Sequence, residues 1–302
     1  MRFAMDMSLS IAENVWSIIK TEIPWMIGLG IVFAGLSYFS SQACNPGKVW
    51  WKSKDMLTDV VYCFAIDVMA PYIRFIAVML VMLVMHGKVR PDDITAFFKE
   101  GEGLLSTAPL GVQIAVYVLG TDFLLYWSHR IFHGRRMWPF HAVHHSPVDL
   151  DWTAMYRIHP VNRLFGAAMV NLLMIGIGIP PWIMVALVPF DIATAAWVHS
   201  NLNWTLGPLK YVFATPVFHR WHHTGVDEGG DMNFGSTFAI WDLMFGTFYM
   251  PEGKLPSNYG VDDPNFPKGF IGQMFVPFKM FYESFRPATK PAGEPASSAA
   301  EK

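Results

Sequence analysis

Histidine placement constrains this chain more than any other feature. Ten of its eleven histidines fall between residues 129 and 223. Eight of them form three clusters: His129-Arg-Ile-Phe-His133, His141-Ala-Val-His144-His145 and His219-Arg-Trp-His222-His223. On a helix, positions i, i+3 and i+4 share one face, so each cluster can aim two or three ring nitrogens at one point. Neutral imidazole ligates iron, zinc, copper and nickel. One tetrahedral zinc takes about four ligands. Eight imidazoles exceed that set, which predicts two metals, and any fold of this chain must bring the three clusters together.

The rest of the chain points to a membrane. Hydrophobic residues make up 53% and charged residues 15%, against roughly 45–50% and about 25% in soluble domains. The net charge of −2 comes with no basic stripe, which excludes a nucleic-acid binder. Cys44 and Cys63 have neither metal-ligand nor redox spacing and read as inert apolar residues. The N-terminus lacks the order of a cleaved signal peptide.

A first apolar run, Ile23 to Ser40, is about 18 residues, enough to span. A second runs from Leu57 to His86 and contains Asp67, Pro71 and Arg74. It reads as a helix kinked at the proline, with a charged substrate-path pair as the alternative. Residues 87–108 read as a polar loop. Pro109 to Trp127 is a third span running into His129. Val161 to His199 reads as a helical hairpin, with arms near 163–178 and 182–199 parted by Ile179-Pro-Pro181. Each arm is barely long enough to span, so a re-entrant hairpin stays open. The tail from Arg286 is expected to be disordered. Basic residues in 42–56 and 129–163 place those segments in the cytoplasm, with 87–108 and Pro180 on the other side. Every cluster then lies on the cytoplasmic face. Asn203-Trp-Thr205 matches a glycosylation sequon that this topology leaves unused.

Further residues join the clusters by spacing. Asp122, Tyr126, His129 and His133 share a helical face, so Asp122 either orients a ligand or is paired elsewhere. Asp191, Ala195, His199 and Asn203 are spaced by four. His199 is expected to be a ligand, with Asp191 two turns away as a candidate to orient it. Asn203 is a candidate for metal contact, directly or through water. His159, before Pro160, is a candidate ligand or a helix-start residue. His86 sits at the opposite end of a span. No cluster holds a Glu, unlike a His-Glu-x-x-His hydrolase. An imidazole-rich two-metal site beside apolar substrate suits oxygen activation. A metal transporter is disfavoured because its ligands would lie near the bilayer midplane.

The spacing His-x3-His, His-x2-His-His, His-x2-His-His resembles the fatty acid hydroxylase and sterol desaturase superfamily of membrane di-iron oxygenases. Trp138-Pro-Phe-His-Ala-Val-His-His-Ser-Pro147 looks like its second box. Pro216-Val-Phe-His-Arg-Trp-His-His223, with Asn233-Phe-Gly235 and Trp241-Asp-Leu-Met-Phe-Gly-Thr247, looks like its third box and the stretch after it. The resemblance covers roughly residues 110–250. It implies metal ligands at His129, His133, His141, His144, His145, His219, His222 and His223, with His199 as the ligand after the last hairpin. Some relatives carry a further His where this chain has Asn203. Asp242, inside the last motif, joins Asp122 and Asp191 as a candidate supporting acid.

The implied fold is all-α: a membrane bundle of about four to five spans under a cytosolic helical cap holding the metals. The corresponding divisions are membrane helices over 1–108, the histidine-box domain over 109–250, a cap extension over 251–285 and the tail over 286–302. The implied reaction is O2-dependent hydroxylation of an aliphatic C–H bond in a membrane lipid (sterol, fatty-acyl, carotenoid or amino-lipid), with desaturation as the alternative. It needs two iron ions, for which zinc can substitute. It also needs electrons from a separate ferredoxin or cytochrome-type donor, because no Gly-x-Gly-x-x-Gly after a strand and no fused haem or flavin domain is present.

Overall fold

The computed structural model describes residues 11–40, 43–87 and 90–286. The tail 287–302 and the side chains of Asp67, Pro71, Arg74 and His86 lie outside the described residues. Eleven α-helices are described: α1 (Ile11–Phe39), α2 (Met56–Val81), α3 (Pro91–Glu100), α4 (Leu110–Phe132), α5 (Trp138–His145), α6 (Pro160–Gly176), α7 (Pro181–Ala186), α8 (Val188–His199), α9 (Pro216–His222), α10 (Ile240–Phe245) and α11 (Phe270–Glu283). Among the described residues extended pairing is limited to three isolated bridges, Ala43–Leu202, Phe213–Phe238 and Thr224–Tyr259.

Helix α4 is the one described helix long and apolar enough, by length and composition, to cross a membrane. Shorter apolar helical stretches run over Ile23–Leu36, Met56–Ile66 and Pro160–Gly176. Helix α6 packs between α2 and α4. Val78, Met82, Phe97, Tyr117, Val170, Met174 and Ile175 bury a common core there.

Several elements depart from the sequence expectations, each for a local reason. The stretch 87–108 is not all loop. Helix α3 forms inside it, opened by Pro91, with Asp92 and Asp93 in its first turn and Lys99 in its last. Those positions complement the helix dipole, and Phe97 anchors the helix in the core. The second apolar run continues as helix through position 71 to Val81, then as a wider π turn over Met82–His86. The second hairpin arm is not one helix. It breaks at Leu187, ahead of Pro189, into α7 and the 12-residue α8. At 1.5 Å per residue, α8 is about 18 Å long, too short to span alone. Its C-cap Ser200 is extended (φ −60°, ψ 151°). The four-residue step from His199 to Asn203 is therefore not a helical one.

The charge count behind the orientation also changes. Arg157 is fully buried. Its Nε donates to Asp59 Oδ1 at 2.7 Å and its Nη1 to Asp55 Oδ1 at 3.0 Å. It also donates from Nη2 to the Asp55 carbonyl at 2.9 Å and from Nη1 to Ser146 Oγ at 3.2 Å. This ion pair clips the start of α2 to the end of α5. Arg130, Arg135, Arg136 and Arg163 remain in that segment.

Candidate metal centre

Nine imidazoles converge in two groups. His129, His133, His141, His145 and His222 each offer a ring nitrogen within 4.8 Å of the others. His144, His199, His219 and His223 do the same. The groups adjoin: the rings of His145 and His223 stack at 4.5 Å.

The partition follows helix geometry. In α5, His141 and His145 are four apart and enter one group, while His144 enters the other. Around α9, His219 and His223 pair in the second group, and His222 turns to the first. A step of four residues advances about 40° around a helix, and a step of three falls about 60° short of a turn. Each of these two helices therefore splits its histidines between the groups rather than aiming all three at one point. Helix α4, with its C-cap, gives His129 and His133 to the first group, and α8 gives His199 to the second.

In six of the nine histidines the nitrogen facing away from its group is held by the protein. His129 Nδ1 donates to the Phe234 carbonyl at 2.9 Å and His222 Nδ1 to the Met232 carbonyl at 2.7 Å. His133 Nδ1 donates to Asp231 Oδ1 at 2.9 Å, and His141 Nδ1 to Asn162 Oδ1 at 2.7 Å. With those hydrogens on Nδ1, each Nε2 carries a lone pair. The Nε2 atoms of His129, His133, His141, His145 and His222 are buried without a hydrogen-bond partner. Four orphaned acceptors, with the unpartnered His145 Nε2 beside them, are costly around one point unless a cation takes them.

In the second group His144 and His199 make the same case, whereas His219 and His223 leave their Nδ1 atoms buried without a partner. His144 Nδ1 donates to the Arg157 carbonyl at 3.2 Å, and His199 Nδ1 to the Ala195 carbonyl at 2.7 Å. Their Nε2 atoms face each other at 3.2 Å. Both hydrogens are committed elsewhere, so this contact sets lone pair against lone pair. His199 and His219 approach Nε2 to Nε2 at 3.1 Å, and His219 and His223 at 3.2 Å. Burial, the largest cause, and the neighbouring imidazoles hold His141, His144, His145, His219, His222 and His223 well below the ordinary value of 6.5. These rings stay neutral and ready to ligate. The donor set fits two imidazole-loving transition metals.

The acids act one step back from the imidazoles. Asp122 accepts from Thr237 N at 2.7 Å, Phe238 N at 3.0 Å and Trp241 Nε1 at 2.9 Å. It clamps the loop before α10. Asp242 accepts from Phe234 N at 2.7 Å, Gly235 N at 2.8 Å and Thr247 Oγ1 at 2.7 Å. It fixes the peptide whose carbonyl orients His129. Burial pushes its carboxyl up to about 6. A Cβ at Gly235 would collide with the Phe238 carbonyl oxygen and lie 2.9 Å from Asp242 Oδ2, so only glycine fits there. Asn233 takes a left-handed φ of 60°. Its side chain donates to the Phe218 and Tyr249 carbonyls at 2.8 and 2.7 Å and accepts from Tyr249 N at 2.7 Å.

Three candidates from the sequence stand apart from the two groups. Asp191 is exposed in the first turn of α8. His159 is the N-cap of α6: its Nδ1 accepts from Val161 N at 3.1 Å and its Nε2 donates to the Met274 carbonyl at 3.2 Å. Asn203 is half-buried beyond the end of α8, and the second group has four imidazoles without it. Sequence reasoning missed Asp231, Asn162 and Arg157. Asp231 had a weak signal, lying among polar turn residues shortly after the third cluster. The carbonyl of Arg157 had none, because a backbone acceptor leaves no residue type to read.

Residues 114–247 match the fatty acid hydroxylase family model. This stretch is a fatty acid hydroxylase domain. It contains all nine convergent histidines of the two groups. The chain is 33% identical over 173 residues to the ornithine lipid hydroxylase OlsE of Rhizobium tropici, covering 56% of this chain and 51% of that protein. It is 35% identical over 147 residues to the alkylglycerol monooxygenase of Xenopus tropicalis, covering 48% and 32%. Identity to the methylsterol monooxygenase 1-1 of Arabidopsis thaliana is 28% over 234 residues, covering 74% and 73%. The chain thus spans about half of the first of these relatives and a third of the second. No solved structure matches it.

Proposed function

We propose that this chain is a membrane lipid hydroxylase whose two imidazole groups hold two iron ions. The observation that carries the reading is the nine-imidazole centre, in six of whose rings carbonyls, Asp231 and Asn162 hold the Nδ1 hydrogen and turn the Nε2 lone pair inward. Iron bound there would supply O2 activation strong enough to remove hydrogen from an unactivated carbon. The protein's part is geometric. His133 is oriented by the Asp231 carboxylate, which also raises its basicity as a ligand. His129 and His222 are oriented by backbone carbonyls that Asp242 and Asn233 hold in place. Seven of the nine histidines are buried and His129 and His133 half-buried, which limits the access of bulk water.

The substrate we infer is a membrane lipid with an alkyl chain or ring to oxidise. The three relatives are named for an ornithine lipid, an alkylglycerol and a methylsterol. Helix α4 is read as spanning the bilayer, with α1, α2 and the α6–α8 hairpin beside it and the centre on the cytoplasmic face. The electrons come from a separate ferredoxin or cytochrome-type protein.

Lipid profiling of a host with and without the intact gene, grown under 18O2, tests the reading. The expected result is a lipid that appears only with the gene and carries one 18O atom. A gene-dependent alkene without the label would mean desaturation. No gene-dependent lipid in a host that makes folded, metal-loaded protein would overturn the assignment.

A further inference from the structure

Helix α11 presents an apolar stripe that the described residues leave exposed. Ile271, Phe275, Phe278, Tyr282 and the following Phe285 are spaced 4, 3, 4 and 3 and are all exposed, Ile271 by 68% and Phe275 by 69%. At 3.6 residues per turn they fall within about 80° of one face. The opposite face is buried through Gln273 and Pro277. A run of five large exposed side chains on one face marks an interaction surface.

The position of α11 says what covers the stripe. Just beyond the end of α4, Arg135 Nη2 donates to the Ser284 carbonyl at 2.7 Å. The Arg136 guanidinium lies over the Phe285 ring at 4.6 Å, and Arg286 lies over Tyr282 at 5.3 Å. The C-terminal end of α11 therefore sits level with the point where α4 ends. Three arginines gather there, and Lys279 and Arg286 border one edge of the stripe about 60–80° from Ile271. Apolar rings with cations along the edge match a lipid surface: rings among acyl chains, cations at the phosphates. Exposed Ile131, Leu164 and Phe165 add apolar surface on the last turn of α4 and the first turns of α6.

We propose that α11 lies in the plane of the membrane surface, with Ile271, Phe275, Phe278, Tyr282 and Phe285 in the lipid. The inference rests on the reading of α4 as a membrane span. The same helix braces the metal centre. Gln273 Nε2 donates to Ser146 Oγ at 2.9 Å, directly after His145. Phe140, beside His141, meets Phe278 and Phe281 with centroids at 5.2 and 5.4 Å. Lipid contact along α11 thus sets the height of the α5 histidines above the bilayer, and opens a lipid-facing border next to the site.

The test uses the full chain in bilayer discs of phosphatidylglycerol and phosphatidylcholine. Phe275→Cys, Ile271→Cys and Glu283→Cys are labelled with an environment-sensitive fluorophore. The native Cys44 and Cys63 are buried and serve as the unlabelled background. The expected result is strong quenching of positions 271 and 275 by brominated acyl chains and weak quenching by aqueous iodide, with the reverse at 283. Iodide quenching at 271 and 275 equal to that at 283 would overturn the proposal. So would protection from both quenchers with cross-linking between copies, which would make the stripe a dimer face. Bound metal and product formation, measured on the same samples, report on the hydroxylase reading separately.

Discussion

Where the protein holds the far nitrogen of a histidine, it decides what the near one can do. His133 hands its Nδ1 hydrogen to Asp231 and His141 hands its own to Asn162. Asp231→Asn and Asn162→Ala should each lower metal affinity by about 10–100-fold while leaving the fold intact. Metal titration with a competing chelator reads this directly. His159→Ala is the contrast. Both of its nitrogens serve helix α6 and the Met274 carbonyl. Its loss should cost about 1 kcal/mol of stability as a lost cap and leave metal content unchanged. The pH response has a definite sign. Burial holds six imidazoles well below 6.5 when folded, whereas unfolded imidazoles take protons near 6.5. Stability of the metal-free protein should therefore be level above pH 6.5 and fall as pH drops below it. The loss is about 1.4 kcal/mol per pH unit for each ring that stays neutral. Denaturant melts between pH 5 and pH 8 check the direction.

At the scale of elements, short helices set the directions of the ligands, and buried polar clips set their positions. Arg157 joins Asp55 and Asp59 on α2 to Ser146 after α5, and its own carbonyl orients His144. Arg157→Ala strands two acids, one of them fully buried, and should cost about 3–5 kcal/mol. Thermal melts and metal content should fall together. Asn233→Ala should lower both in the same way through the lost fastening of the 233–249 loop. The helical spacing of the clusters was legible in the sequence because imidazoles at i, i+3 and i+4 mean little else. Which group each histidine joins was not read, because the spacing separates i+3 from i and i+4 on a helix but does not say which other helices face each side. The roles of Asp122 and Asp242 were half legible. The proximity of Asp122 to the ligands followed from spacing, and Asp242 was pointed to by the motif that the resemblance covers. Their targets, backbone amides at 234, 235, 237 and 238, depend on a loop fold that no side-chain pattern announces.

Over the whole molecule, apolar runs announced helices but overstated their regularity. Leu187 and Pro189 break the second arm into α7 and α8, and Asp92, Asp93 and Lys99 build a helix where a loop was expected. The metal clusters were the more reliable guide, since Nε2 lone pairs buried without a donor call for a cation. Topology follows as a separate expectation. Cysteines placed at 52 and 136 should label from the cytoplasmic side and one at 102 from the other, by membrane-impermeant maleimide in sealed vesicles. Labelling of 52 and 136 from opposite sides would contradict the proposed arrangement. The central claim is the two-metal centre. Elemental analysis of the purified full-length protein, folded by thermal melt and normalised by amino-acid analysis, tests it most directly. The expected result is two transition-metal ions per chain, with iron in the active form and zinc as a substitute on overexpression. One ion or none per chain in a folded, active sample would contradict it.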